Sequence, residues 1–232
     1  MDTAKPFRKR PERATRVREL ILDVALDRFS ANGYEGTSIR SIAALTGLQQ
    51  SLVSYHFKTK EKLWFAMMEK FHGEFVDDIE EALEAAKDRS ASDQLRSLIR
   101  SFVKSASTTP QVFRILIQQN TQASTRMDWL LDKFVRKFFS KTMDTIIAAQ
   151  EEGAIINAAP EHIYYLITGG ISTFFAFSQG YSRLTYKDPT SAAEIHRLNN
   201  FICELIFLEQ RESVDRVSSD RRAPTPSVRQ TT

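Results

Sequence analysis

Gln50, Ser51, Ser54 and Tyr55 crowd the first half of the short stretch GLQQSLVSYHFKTKEKL, Gly47 to Leu63. A glutamine offers a donor and an acceptor in one plane and pairs with adenine in bidentate fashion, while a serine hydroxyl donates or accepts. Leu52 stands apolar among them and suits a thymine methyl. His56, Lys58 and Lys60 follow, and Lys60 falls where a new helix should start, so its charge and the free N–H groups there both favour a phosphate. Phosphate contacts position a protein on a duplex, and base contacts specify the site.

Bond-making chemistry finds little support. The histidines, His56, His72, His162 and His196, are far apart and form no HExxH or Cys–His cluster. No glycine loop is suited to cradle a phosphate, and Asp77, Asp78, Glu80 and Glu81 read as a solvated helix face. The single cysteine, Cys203, lies in FICELIFLE, where it reads as a small buried side chain. It cannot form an intramolecular disulfide, which fits a reducing, cytoplasmic setting. No catalytic residue, metal or cofactor is expected.

The elements that must hold the polar stretch are helical. The chain has 232 residues and only 8 glycines, and apolar residues recur at three and four. The spacing predicts a first helix from about Arg13 to Asn32, with Val17, Leu20, Ile21, Val24, Ala25 or Leu26, and Phe29 as its stripe, stopped by Gly33. A second starts in GTSIRSIAAL with Thr37 as N-cap and Ile39, Ile42, Ala43 and Leu45 turned inward, and TGL ends it. A third covers about Gln49 to Phe57. A fourth, capped by Thr59, carries Leu63, Met67, Phe71, Phe75 and Ile79 to about Lys87, roughly 40 Å at 1.5 Å per residue. Further helices are expected at 91–107, 110–123, 127–152, 160–180 and 190–209.

On a helical wheel Val53 and Phe57 fall together, joined by Leu48. Ser51, Leu52 and Tyr55 lie opposite, Gln50 sits at the N-terminal end and Ser54 on a flank. Two short helices joined through Gly47 make a helix-turn-helix, whose second helix enters the major groove in DNA-binding proteins. Thr37 and Arg40 begin the second helix on the side that would meet the backbone. The same spacing also occurs in purely structural bundles.

The stretch RELILDVALDRFSANGYEGTSIRSIAALTGLQQSLVSYHFKTKEKLWFAMM resembles the DNA-binding domain of TetR-type transcriptional regulators. The matches are ALDRFSANGYEGTSIRSIA, the turn TGL and the closing YHFKTKEKL, over about Thr15 to Phe75. The resemblance implies an all-α chain with an N-terminal three-helix helix-turn-helix domain and a C-terminal helical ligand-binding and dimerisation domain. It implies a homodimer on a palindromic operator in double-stranded DNA, released by a small-molecule effector. It implies DNA contacts at Thr37, Gln50, Ser51, Leu52, Ser54, Tyr55, His56 and Lys60, to which the wheel adds Arg40. The departure is Gln49, where the family often has a capping serine.

The segments are then a basic arm at 1–14, the DNA-binding domain at 15–75, the ligand-binding and dimerisation domain at 76–210 and a disordered tail at 211–232. The first eighteen residues carry Lys5, Arg8, Lys9, Arg10, Arg13, Arg16 and Arg18 against Asp2 and Glu12, which fits a polyanion partner or a solvated leader. The N-terminus shows no signal peptide. Ile163 to Tyr181 has the length of a membrane span, but Thr168, Ser172, Thr173, Ser178, Gln179 and paired glycines make it a buried helix, with no membrane partner.

Gly169 and Gly170 inside that helix, and Phe201, Ile202, Leu205, Ile206 and Leu208 in the last one, fit a four-helix dimer interface, with a monomeric core as the alternative. Arg114, Gln118, Gln119, Trp129, Tyr165, Thr168 and Ser178 interrupt apolar stripes and are candidates to orient a ligand. Phe134, Phe138, Phe139, Phe174, Phe175 and Phe177 point to an apolar or aromatic one. The expected function is therefore a ligand-responsive repressor. An activator or corepressor-dependent regulator of the same fold, and a helical small-molecule-binding protein or enzyme without DNA binding, are the alternatives.

Overall fold

A computed structural model describes residues 9–121 and 123–208, the first four by their backbone alone. The fold is all-α. Helix α1 (Lys9–Asn32) buries Ile21, Leu22, Ala25, Leu26 and Phe29. It starts before Arg13, so residues 9–14 of the expected arm are helical, while residues 1–8 and 209–232 lie outside the described residues. Leu20, placed in the stripe by spacing, is exposed because Ile21 and Leu22 take the inward face.

Helix α2 (Ile39–Thr46) is capped by Ser38, not by Thr37. Ser38 Oγ accepts from the Ser41 N–H at 3.0 Å, and Ser41 Oγ accepts from the Ser38 N–H at 3.1 Å. This reciprocal pair satisfies two donors that a helix start leaves open. Thr37 is instead 2 % exposed, its hydroxyl shared between the Arg28 carbonyl at 3.1 Å and the Gly33 carbonyl at 2.9 Å. Leu45 also departs from expectation: it is 58 % exposed, and Ile42 and Ala43 carry the buried face. Gly47 ends α2 at φ 67°, a left-handed turn that costs glycine nothing.

Helix α3 (Gln50–Phe57) follows, then α4 (Lys60–Ala85), capped as expected by Thr59, whose hydroxyl accepts from the Lys62 N–H at 3.1 Å. Leu63, Trp64, Met67 and Met68 of α4 close the core under α1–α3. Farther along, α4 packs on α5 (Ala91–Thr108), which also meets α8 and α11. Helix α6 (Pro110–Gln119) is shorter than the expected 110–123.

The expected helix at 127–152 is three pieces: α7 (Thr125–Leu130), a π-helical turn (Leu131–Val135) and α8 (Arg136–Glu151). The expected 160–180 breaks at Phe177 into α9 (Pro160–Ala176) and α10 (Ser178–Thr185), and α11 runs Ala192–Ile206. After α8 the chain is clasped to the end of α11: the Ile156 N–H donates to the Ile206 carbonyl at 2.9 Å and the Leu208 N–H to the Ala154 carbonyl at 3.0 Å. Cys203 is buried, as its apolar setting predicts. Among the described residues no helix is long and apolar enough to cross a membrane.

Candidate nucleic-acid interface and ligand cavity

The α2–turn–α3 unit is held by its inner residues. Val53 is fully buried and Phe57 nearly so, with Leu48 packed on the same core. One helical turn places the opposite residues outward. Gln50, Ser51 and Leu52 are exposed, Tyr55 is 78 % exposed, and Ser54 and His56 are half-buried on the flanks. The wheel is thereby reproduced residue by residue. Arg40 is exposed on α2. Gln49 makes no capping hydrogen bond, so the first turn of α3 keeps backbone donors without a side-chain partner.

The lysines after α3 differ from each other. Lys58 is exposed and stands at φ 62°, ψ −51°, with the Thr59 N–H donating to the Phe57 carbonyl at 2.7 Å across it. This is a three-residue γ-turn, strained for any residue with a Cβ. Lys60 is a clamp as well as a cation. Its Nζ donates to the Tyr34 carbonyl at 2.9 Å, lies 4.1 Å from the Tyr34 ring centroid and 3.8 Å from Glu35 Oε2. It ties the start of α4 to the α1–α2 turn. Thr37 cannot meet DNA through a hydroxyl buried between two carbonyls; Ser38 and Arg40 hold the exposed edge there.

Deeper in the chain a cavity of about 480 Å³ opens between α4, α5, α6, the π-helical turn, α8 and α9. Phe75, Phe102, Phe113, Phe138, Phe139 and Tyr164 form much of its wall, with Thr168, Ser172 and Thr173 along α9. Of the expected ligand residues, Tyr165 and Thr168 line it, and the others do not. Arg114 instead joins α6 to the α9–α10 junction, donating from Nε to the Ala176 carbonyl and from Nη2 to Ser178 Oγ, both at 3.0 Å. Ser178 is thus a structural acceptor. Gln118 Nε2 donates to the Ser30 carbonyl of α1 at 3.1 Å, and buried Gln119 accepts from Arg126 Nε at 3.2 Å. Trp129 stands between Phe134 at 5.5 Å and Phe65 at 4.7 Å, centroid to centroid. Of the phenylalanine clusters, Phe138 and Phe139 reach the cavity and Phe174, Phe175 and Phe177 do not.

Several wall residues carry no mark in the sequence patterns above, among them Phe102, Phe113, Asn120 and His72. His72 is 4 % exposed, stacks on Phe134 at 4.6 Å and meets Phe75 edge-on at 5.6 Å. Burial pushes its imidazole down to about 4. The signal was available: His72 stands four residues after Met68 and three before Phe75, on the inward stripe of α4.

The cavity and the DNA-facing unit share supports. Helix α6 lines the cavity with Phe113, Leu116 and Ile117, and its other side grips α1 through Gln118 and through Gln111 Nε2, which donates to Asp27 Oδ1 at 3.1 Å. Helix α7 lines it with Met127 and Leu130, while the Arg126 guanidinium carbon lies 3.7 Å from the centroid of the Tyr34 ring, which Lys60 and Phe29 also meet.

Comparison with known proteins agrees with this geometry. Residues 21–67 match the model of the family described as bacterial regulatory proteins, tetR family. The transcriptional regulator RutR of Escherichia coli (strain K12) is 21% identical over 170 residues, 73% of this chain and 79% of its own length. The transcriptional repressor NicS of Pseudomonas putida is 33% identical over 66 residues, 28% of this chain and 31% of NicS. Among solved structures, AibR in complex with isovaleryl coenzyme A and operator DNA superposes with a TM-score of 0.66 at 20% identity, covering 82% of this chain and 98% of AibR. The ketosteroid regulator KstR2 of Mycobacterium tuberculosis superposes with a TM-score of 0.67 at 14% identity, covering 82% and 95%.

Proposed function

We propose that the chain, whose residues 21–67 match the tetR family of bacterial regulatory proteins, is a TetR-type repressor that releases its operator when a small molecule enters the cavity. The observation that carries the reading is α3: eight residues held by Val53 and Phe57, turning Gln50, Ser51, Leu52 and Tyr55 outward together. In this reading those four, with Ser54 and His56 on the flanks, meet base edges and the adjoining backbone. Arg40, Lys58, Lys60 and the uncapped first turn of α3 take phosphates. The DNA-binding unit spans about 15–75 and the ligand-binding and dimerisation unit about 76–210. Regulation rather than catalysis is the expected role, as the names of the regulators it resembles suggest, and a cytoplasmic setting is expected with it.

A homodimer supplies the second reading helix. Leu166, Thr173 and Phe177 make an exposed stripe along α9 with Gly170 among them, and a Cβ on Gly170 meets nothing within 4 Å. Phe201 and Leu208 are exposed on α11, whereas Ile202 and Ile206 serve the core of their own chain. Such largely apolar stripes on two helices suit an isologous contact with a second copy. A dimer that presents its two α3 helices about 34–36 Å apart reads two half-sites one turn apart. A ligand that spreads the cavity shifts α4 and α6, the supports of the reading unit, and so opposes operator binding reciprocally.

The test is binding to DNA from upstream of the protein's own gene. Affinity should fall with salt at a log–log slope of about −0.9 for each phosphate neutralised. Absence of binding at low salt would sink the repressor reading, and a gel-filtration mass of one chain would sink the dimer.

A further inference from the structure

We propose that the cavity takes a neutral, largely apolar ring compound bearing a hydrogen-bonding oxygen that meets the imidazole of His72. The proposal deepens the repressor reading and rests on it only for what binding does to DNA.

The wall decides the charge of the occupant. Among the described residues no lysine, arginine, aspartate or glutamate lines the cavity. A carboxylate or phosphate entering it would shed water and find no counter-charge. The wall also decides the shape. Phenylalanines from α4, α5, α6 and α8 present flat apolar faces, and a volume of about 480 Å³ lies in the range that encloses small ring systems.

His72 supplies the specific group. Its ring forms part of the wall and is buried, and its Nδ1, shut off from solvent, has no hydrogen-bond partner, so an occupant reaches Nδ1 once the ring turns about its Cβ–Cγ bond. A buried polar atom left unpaired is uncommon and points to a bond still to be made. Held uncharged by burial, the imidazole has one donor and one acceptor, which suits a hydroxyl or carbonyl. Thr168 and Ser172 add hydroxyls on the α9 wall. The Thr168 hydroxyl already donates to the Tyr164 carbonyl at 2.8 Å, so it faces the occupant as an acceptor.

The test uses the full chain and two probes of like ring area, 2-naphthol and 2-naphthoate, in calorimetric titration and thermal shift near neutral pH. 2-Naphthol should bind and stabilise the protein, and 2-naphthoate should bind at least about tenfold more weakly. Gly169 lines the cavity, and a Cβ there meets nothing within 4 Å, so Gly169→Leu should fill the space and weaken 2-naphthol more than about tenfold. His72→Phe should weaken it by about threefold to tenfold, the contribution of one neutral hydrogen bond. Equal binding of the two probes, no binding of either, or 2-naphthol binding untouched by His72→Phe or by Gly169→Leu would overturn the proposal. Cavity binding as described with operator affinity unchanged would uphold the proposal and overturn ligand release. Failure of the probes would leave DNA binding to its own test.

Discussion

The indole of Trp129 lies 4.7 Å from the ring of Phe65, centroid to centroid, and 6.2 Å from that of Trp64. The contact joins α7, whose Met127 and Leu130 line the cavity, to α4 just after the clamp made by Lys60. Aromatic pairs of this kind add roughly 0.5–1.5 kcal/mol beyond their buried area. A double-mutant cycle of Phe65→Leu and Trp129→Leu, followed by urea denaturation, should return an interaction in that range. Additivity within about 0.3 kcal/mol would show that the pair carries no coupling.

Lys58 combines backbone strain with an exposed charge at the end of α3. Lys58→Gly should raise stability by about 1 kcal/mol, because glycine accepts the left-handed φ. The same change removes one charge from each half of the dimer and should weaken operator binding and reduce the salt slope by about two. The opposite signs separate strain from charge: a variant that is neither more stable nor less salt-dependent contradicts both assignments.

His72 makes stability depend on pH. Burial lowers its folded-state pKa to about 4, while the unfolded chain titrates near the ordinary 6.5. Between those values the unfolded state binds the proton and the folded state does not, so stability falls as pH drops through that window, by about 3 kcal/mol in all. Denaturation midpoints at pH 7, 6, 5 and 4 should fall more steeply for the wild type than for His72→Phe. Parallel curves would mean that His72 is solvated.

Thr37 and Ser38 are neighbours with different duties. Thr37→Val strips the hydroxyl from two partly buried carbonyls and should cost about 1–2 kcal/mol of stability. Ser38→Ala should cost about 1 kcal/mol through the lost cap. Thr37→Val should leave operator affinity unchanged at temperatures where the variant is folded. If it weakens operator binding at unchanged stability, Thr37 is a phosphate ligand after all.

The features legible in the sequence were those set by local periodicity. Val53 and Phe57 inward and Gln50, Ser51, Leu52 and Tyr55 outward follow from one helical turn, and the structure keeps them so. Thr37 against Ser38 was not legible, because both side chains can cap and only the approach of the Arg28 and Gly33 carbonyls decides. Arg114, Gln118 and Trp129 interrupt apolar stripes as ligand-binding residues would, but their partners lie 62, 88 and 64 residues away in sequence. Spacing holds no record of such partners. The π-helical turn at Leu131–Val135 likewise continues an amphipathic pattern that reads as one helix.

The central claim, that α3 reads a DNA sequence, is tested most directly by fluorescence anisotropy at fixed salt with the upstream duplex and a scrambled duplex of equal length. The wild type should favour the upstream duplex by about a thousandfold or more. Gln50→Ala, folded to the same helical content, should lose about 1–3 kcal/mol on the upstream duplex and almost nothing on the scrambled one. Equal wild-type affinity for the two duplexes, or a Gln50→Ala variant that weakens both alike, would contradict the account.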